Sequence, residues 1–339
     1  MVIPNSYIVA TRNNMLSRVA DSIYWLNHYI ERAENYARFI DVNLNLTLDL
    51  PPDLTEQWKP LVITTGDYQL FEERYGEPTK ENVIQFLTFD IENPNSILSC
   101  LYKARENART VREIISTEMW EQINEFYLKV RDAVSHTGWT MEKLMDFFKE
   151  IKMYSYLFAG IMDATISHTE GWHFGRMGRF LERADKTTRI LDVKYFILLP
   201  DADSVDTPLD LLQWLAVLKS ASAFEMYSKS YGRISPYNIA QFLILDREFP
   251  RAIRYSLIQA EQSLHSISGT ELWTFKNLAE KKLGLLRSDL DYTDIHDIFS
   301  SGLHEYLDNI QLKLNEVGDA IYETFFNSRP PDKLPDKSQ

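Results

Sequence analysis

Apolar residues recur every three or four positions along most of this chain, which is the period of an amphipathic α-helix. The first such stripe runs from about Ser17 to Leu50 without glycine or proline, and Pro51 and Pro52 end it. No stretch alternates apolar and polar residues for long enough to predict a strand. The pattern therefore predicts an all-α fold. Further helices are predicted at 55–75, 79–89, 93–115, 117–134, 140–166, 172–199, 207–230, 236–246, 250–268, 270–286 and 292–326.

Two segments of the chain recur in the same order. YIERAENYARFIDV at 29–42 aligns with FLERADKTTRILDV at 180–193, and QFLTFDIENPNSI at 85–97 aligns with QFLILDREFPRAI at 241–253. The second match crosses a non-helical break, which amphipathic periodicity alone does not produce. We therefore predict an internal duplication whose two units pack as one pseudo-twofold helical bundle.

This organisation sets the expected boundaries. The helical domain is predicted at 15–326, with repeat units at about 15–167 and 168–326. Residues 1–14 are expected to be an extension. Residues 327–339 are rich in proline and charge and are expected to be a flexible tail.

Charged residues fall at matching positions on the two aligned helices. On each helix two acids, an arginine and a further aspartate share one face, at spacings of three, seven and ten residues. Arg32 and Arg183 lie beside the apolar stripes of their helices. The shared faces consist of Glu31, Glu34, Arg38 and Asp41 in the first unit and of Glu182, Asp185, Arg189 and Asp192 in the second.

Three interpretations of these charges are open. A row of mixed charge is usually a solvated helix face with i,i+4 ion pairs. However, neighbouring positions that we take to be exposed differ between the units, as Asn35 and Lys186 do, whereas the Glu-Arg pairs are the same. The second interpretation is that the arginines of each unit form buried bidentate pairs with acids of the other unit. The third is that charged groups of both units converge on a polar ligand at the axis.

Two other segments add candidate binding residues. KARENARTVRE at 103–113 is rich in arginine, whereas the equivalent QAEQSLHSI at 259–267 has none, as expected if one half carries a functional face. HTEGWHFGRMGRFLER at 168–183 leads into the second Glu-Arg pair. The candidate binding residues are Glu31, Arg32, Glu34, Arg38, Trp172, Arg179, Glu182, Arg183, Asp185, Arg189, Arg105, Glu106 and Arg109.

Composition and missing motifs exclude several classes of protein. The net charge of −13 and the lack of a basic block argue against nucleic-acid binding. The single cysteine, Cys100, stands in an apolar helix and is expected in the core, and no Glu-x-x-His motif supports a metal site. No cofactor is expected, because phosphate-binding and nucleophile motifs are missing. Without an 18-residue apolar window or a secretory signal, we expect a cytoplasmic protein that does not span a membrane.

Four segments of the chain resemble the bacterial alpha-E domain family, a helical domain with a recurring Glu-Arg motif. They cover nearly all of 15–326, and the positions that match the motif are Glu31, Arg32, Glu182 and Arg183. The four segments are MLSRVADSIYWLNHYIERAENYAR (15–38), ARENARTVREIISTEMWEQIN (104–124), GWHFGRMGRFLERADKTTRILD (171–192) and YGRISPYNIAQFLILDREFPRAI (231–253).

The resemblance implies which proteins this chain works with rather than which reaction it catalyses. Members of the family are typically encoded beside, or fused to, a circularly permuted ATP-grasp ligase-like protein and a transglutaminase-like protein. We therefore expect an accessory binding or scaffold protein of an amide ligase system, with those two proteins as partners. The alternative is an enzyme of the same pathway, acting on a small peptide or acyl substrate with Glu31 and Glu182 as acid and base.

Overall fold

A computed structural model describes residues 15–49, 58–198 and 208–327 of this protein, and every secondary-structure element in those ranges is a helix. The all-α prediction is confirmed. The predicted extension at 1–14 lies outside the described residues, as does the predicted tail apart from residue 327. The helices are α1 (Ser17–Asp49), α2 (Lys59–Thr65), α3 (Tyr68–Tyr75), α4 (Lys80–Thr88), α5 (Ile97–Thr110), α6 (Thr117–Ala133), α7 (Met141–Thr165), α8 (Glu170–Leu198), α9 (Pro208–Ser220), α10 (Phe224–Tyr231), α11 (Pro236–Leu245), α12 (Ile253–Ser268), α13 (Leu278–Asp291), α14 (Ile295–Ser301) and α15 (Leu303–Ile321), followed by a π-helical turn (Tyr322–Phe326).

Four predicted helices were wrong in their extent. The helix predicted at 55–75 is α2 and α3, because Gly66 takes a left-handed conformation with φ of 82° between them. The one predicted at 207–230 is α9 and α10, separated at Ser222, which also has positive φ. The helix predicted at 270–286 begins only at Leu278. The last predicted helix is interrupted at Gly302, where φ is 93°.

Helices α1 and α8 form the centre of the fold and pack against each other. The apolar stripe predicted on α1 is buried from Ile23 to Leu44. Gly178 allows the two helices to approach closely, because a Cβ at that position would overlap the carbonyl oxygen of Tyr24. Cys100 is buried, as predicted.

The other long helices surround this central pair in two similar sets. Helices α5 and α7 contact α1, and α6 packs against both of them. Helices α12 and α15 contact α8, and α13 packs against both of those. A duplicated sequence would produce this layout, although the duplication itself stays a prediction. No helix in the described ranges is long and apolar enough to cross a membrane.

Candidate functional site

The two Glu-Arg pairs exchange partners across the contact between α1 and α8. Arg32 donates from Nε to Glu182 Oε1 at 2.7 Å and from Nη2 to Oε2 at 3.1 Å. Arg183 donates from Nε to Glu31 Oε1 at 2.9 Å and from Nη2 to Oε2 at 2.8 Å. The glutamate side chains are 1% and 2% exposed. The bidentate interpretation is therefore confirmed, and a solvated face is wrong for these positions.

Both glutamates stay ionised because of this pairing. Burial on its own would raise the pKa of Glu31, but Arg183 outweighs burial and lowers the pKa to about 2. The pKa of Glu182 is held well below its usual range in the same way, with Arg32 opposing the effect of burial. A carboxylate locked in this way is a poor acid or base near neutral pH.

The first set of charges, which we call the Glu31 cluster, is rich in arginine. Arg38 donates to Glu34 Oε1 from Nε at 3.0 Å and from Nη2 at 2.7 Å. Arg251 on the α11–α12 connection contacts Glu34 and lies 3.4 Å from Glu31 Oε1. Sequence analysis missed Arg251. Arg251 aligns with Asn95 in the second pair of matching segments. The replacement of a neutral residue by a charged one at that position was the only sequence signal that could have identified Arg251.

The second set, which we call the Glu182 cluster, contains a lysine that sequence analysis placed wrongly. Lys186 was taken to be exposed, but it is buried, with Nζ 2.7 Å from Asp185 Oδ2 and 3.3 Å from Glu182 Oε1. Asn35 is also buried rather than exposed. Burial would raise the pKa of Asp185, but Lys186 and Arg189 lower it to about 2.

His28 is a further member of the Glu182 cluster that the candidate set did not include. Its Nε2 lies 2.7 Å from Glu182 Oε2 and 2.9 Å from Arg32 Nη2. Burial lowers the pKa of His28, so the imidazole is neutral near pH 7. Of its two neutral tautomers, the one with a proton on Nε2 donates to Glu182, whereas the one with a proton on Nδ1 accepts from Arg32. Asn95 completes the cluster by accepting from Arg32 Nη1 at 2.6 Å.

A cavity of about 490 Å³ opens beside the Glu182 cluster, between α1, α8 and α15. Its volume is in the range of small-molecule sites. Aromatic rings of α1 and of the π-helical turn form part of its wall. Its lining consists of Tyr24, Trp25, His28, Arg32, Tyr36, Thr65, Asn95, Leu181, Glu182, Asp185, Lys186, Arg189, Leu314, Asn315, Gly318, Asp319, Tyr322 and Phe326.

The remaining candidates lie apart from this cavity. Arg105 donates to Asn124 Oδ1 at 2.7 Å, and Arg109 pairs with Glu106 at 2.7 Å on the partly exposed face of α5. Trp172 stacks on His168 near the start of α8. None of these residues belongs to either cluster.

One group of side chains in the described residues has metal-ligand spacing. It consists of Asp192, His304 and Asp308. Asp192 lies 2.6 Å from His304 Nδ1, whereas Asp308 lies 3.6 Å from Nε2. One ligand atom from each residue lies within 4.8 Å of the others, and the two carboxylates contact opposite ring nitrogens of the imidazole.

Comparison with known proteins gives a family and three relatives. The model of the Alpha-E family, described as a predicted alpha-helical domain with a conserved ER motif, matches residues 15–326. Uncharacterized proteins of Mycobacterium bovis and of Mycobacterium tuberculosis strain CDC 1551 are each 21% identical over 336 residues, covering 91% of this chain and 36% of the relative. An uncharacterized protein of M. tuberculosis strain H37Rv is 20% identical with the same coverage. The chain thus spans about a third of these relatives' length, and no solved structure matches.

Proposed function

Because this chain belongs to the Alpha-E family and carries its ER motif at Glu31–Arg32 and Glu182–Arg183, we propose that it is the binding component of an ATP-grasp-type amide ligase system. Its ligand is a small zwitterion, such as an amino acid or the end of a short peptide. The cavity beside the Glu182 cluster is the observation that carries this proposal.

The charges on the cavity wall suit a ligand that bears both signs. Arg32, Lys186 and Arg189 supply three cations for a carboxylate. Glu182 and Asp185 are engaged by these cations, so the exposed Asp319 on α15 is the acid of the wall that supplies negative charge for an ammonium group. Opposed charges on one wall favour a zwitterion over an ion of either sign, because each ligand group finds its complement.

The wall is also rigid. Lys186 and Arg189 are both held by Asp185, and Arg189 Nη1 donates to the Thr64 carbonyl at 2.9 Å. Groups fixed before binding lose little side-chain entropy when the ligand arrives. The cavity is therefore suited to capture and orient a polar ligand.

The enzymatic alternative lacks comparable support. Glu31 does not line the cavity, and the pKa of about 2 leaves it without a proton to donate. Glu182 lines the cavity but is occupied by Arg32 and His28. Capture of a substrate for a partner that performs the chemistry is the role that these contacts support.

The partners we propose are the circularly permuted ATP-grasp ligase-like protein and the transglutaminase-like protein that the family resemblance implies. The length of the relatives supports a shared assembly, because about two thirds of each lies outside the matched region. A cytoplasmic location belongs to this proposal, since an ATP-dependent ligase draws on cytoplasmic ATP.

Calorimetric titration of the full chain tests the ligand. Free amino acids and dipeptides are compared with their N-acetylated and C-amidated forms. We expect the zwitterions to bind and either cap to weaken binding about tenfold or more, since a charged hydrogen bond is lost. Binding that is indifferent to both caps contradicts the proposal.

A cavity-filling variant locates the site. A Cβ at Gly318 meets no atom within 4 Å, so Gly318→Leu projects into the cavity without displacing the helix. We expect this variant to fold and to lose the ligand. Gly160→Leu on α7 is the matched control, because it too is a helical glycine with free space around it. Equal binding by both variants places the ligand elsewhere.

Co-purification tests the ligase partner separately. The tagged full chain is recovered under gentle lysis, and bound proteins are identified by mass spectrometry. Recovery of an ATP-grasp ligase-like protein is expected. Its absence overturns the ligase part of the proposal and leaves the titration result standing.

A further inference from the structure

The Glu31 cluster differs from the Glu182 cluster in its charge. Arg38, Arg183 and Arg251 contact its two carboxylates, Glu31 and Glu34. A fourth guanidinium, that of Arg179, is close enough to lower the pKa of Glu31. Four cations against two anions leave a surplus of two positive charges among the described residues of this cluster.

Arg179 makes no hydrogen bond or ion pair within the described part of the chain that would account for its position. It stands four residues before Arg183, as His28 stands four residues before Arg32. The residue is partly buried, its Nε is buried without a hydrogen-bond partner among the described residues, and its guanidinium lies 5.2 Å from the centroid of the Phe180 ring and within electrostatic reach of Glu31. Burial and the charge of Arg183 lower the pKa of Arg179 to about 10. The nearby carboxylate of Glu31 is already bound by Arg183 and Arg251, so it compensates little of the charge of Arg179, and a desolvated charge with little compensation is costly.

The surroundings of Arg179 leave a route from solvent. Arg183 is 13% exposed, and on α7 Tyr156 is exposed and contacts Arg38. Gly160, also exposed on α7, has free space around it. Asp163 also acts on Arg179, but it is 61% exposed and lies beside His168. Arg183 and Tyr156 therefore lie on the solvent side of this cluster.

We propose that the Glu31 cluster is a second binding site, which takes the phosphoryl dianion of a small molecule between α7 and α8 with Arg179 as its main ligand. Guanidinium groups bind phosphate oxygens in a bidentate manner. A phosphate monoester carries close to two negative charges at neutral pH, which matches the surplus, whereas one carboxylate neutralises only half of it. This site is separate from the cavity of the Glu182 cluster and does not depend on the zwitterion proposed there.

Inorganic phosphate is the probe, titrated into the full chain by calorimetry at pH 7.5 with ionic strength held constant by sodium chloride. Succinate is titrated in parallel as a dianion without a phosphoryl group. We expect phosphate to bind more tightly than succinate. Arg179→Gln is expected to weaken phosphate binding about tenfold or more, since it removes a charge-assisted hydrogen bond. Arg131→Gln, at a surface arginine that pairs with Asp132, and the cavity variant Gly318→Leu are expected to leave it unchanged.

Three outcomes overturn the proposal. The first is that wild type does not bind phosphate or binds succinate at least as tightly. The second is that binding survives in Arg179→Gln. The third concerns stability without phosphate, where Arg179→Gln is expected to melt at the same or a higher temperature because it removes a charge that repels Arg183. A lower melting temperature shows that Arg179 is compensated in the fold.

Discussion

Removing Arg32 leaves a buried carboxylate without its main partner. In wild type the Arg32 side chain is 19% exposed and Glu182 is 2% exposed, so solvent compensates little of the lost charge. Arg32→Ala also removes the hydrogen bond to Asn95. Breaking a buried ion pair from one side costs about 3–5 kcal/mol.

The same loss of free energy can be expressed as a decrease in melting temperature. An unfolding entropy of roughly 2 cal/mol/K per residue gives about 0.7 kcal/mol/K for a chain of 339 residues. The melting temperature of Arg32→Ala is therefore expected to fall by about 4–7 °C. Arg32→Lys is expected to fall by less, because lysine keeps the charge but not the bidentate geometry.

The equivalent substitution in the other pair should cost less. A second cation remains in both variants, Arg251 beside Glu31 and Lys186 beside Glu182, but only Arg183→Ala also removes the repulsion between Arg183 and Arg179. Differential scanning calorimetry measures both variants, with Arg109→Ala as a control at a pair whose arginine is 63% exposed. Arg32→Ala melting within a degree of wild type, or a larger loss in Arg183→Ala, refutes this reasoning.

Two further predictions concern helix packing and pH. Gly178→Ala is expected to lower the free energy of unfolding in urea by about 1–3 kcal/mol, because the new Cβ meets the backbone of Tyr24. Gly160→Ala, whose Cβ meets no atom within 4 Å, is expected to raise it by up to about 1 kcal/mol. Equal effects of the two substitutions contradict the close approach of α1 and α8. The lowered pKa of Glu31 makes its contribution, on the order of 3 kcal/mol, fully present above the ordinary carboxyl value of 4.5 and lost as the pH falls toward 2. Urea unfolding from pH 6 to 2 is expected to show that loss, with a shallower slope in Glu31→Gln, and an unchanged slope there contradicts the assigned pKa.

Local sequence determined most of the helices. The apolar stripe of α1 and the caps of helices such as α4 and α6 depend on neighbours along the chain, so periodicity predicted them well. The break at Gly66 was missed although glycine favours a left-handed helix end, and the break at Ser222 was missed because serine seldom takes a left-handed conformation. The late start of α13 at Leu278 was missed because residues 270–277 have helical periodicity without forming a helix.

The chemistry of the charged residues was only partly readable from the sequence. Repetition of Glu31–Arg32 at Glu182–Arg183 pointed to a constraint beyond solubility, and bidentate pairing was one of the interpretations it allowed. Spacing on a helix shows which residues share a face but not whether that face is covered. Lys186 was therefore taken to be exposed, although it is buried against Asp185.

Only the tertiary structure decided where a ligand has room. The sequence gives no sign that α15 leaves a cavity beside Glu182, or that Arg251 reaches the carboxylates of α1 from a connection more than 200 residues away. Both depend on how distant helices pack, and packing distances are set by many side chains at once. The sequence by itself determined the helices and the repeated charges. The packing of α7, α12 and α15 around α1 and α8 decided that the Glu31 cluster is surrounded by arginines and that the Glu182 cluster opens onto a cavity.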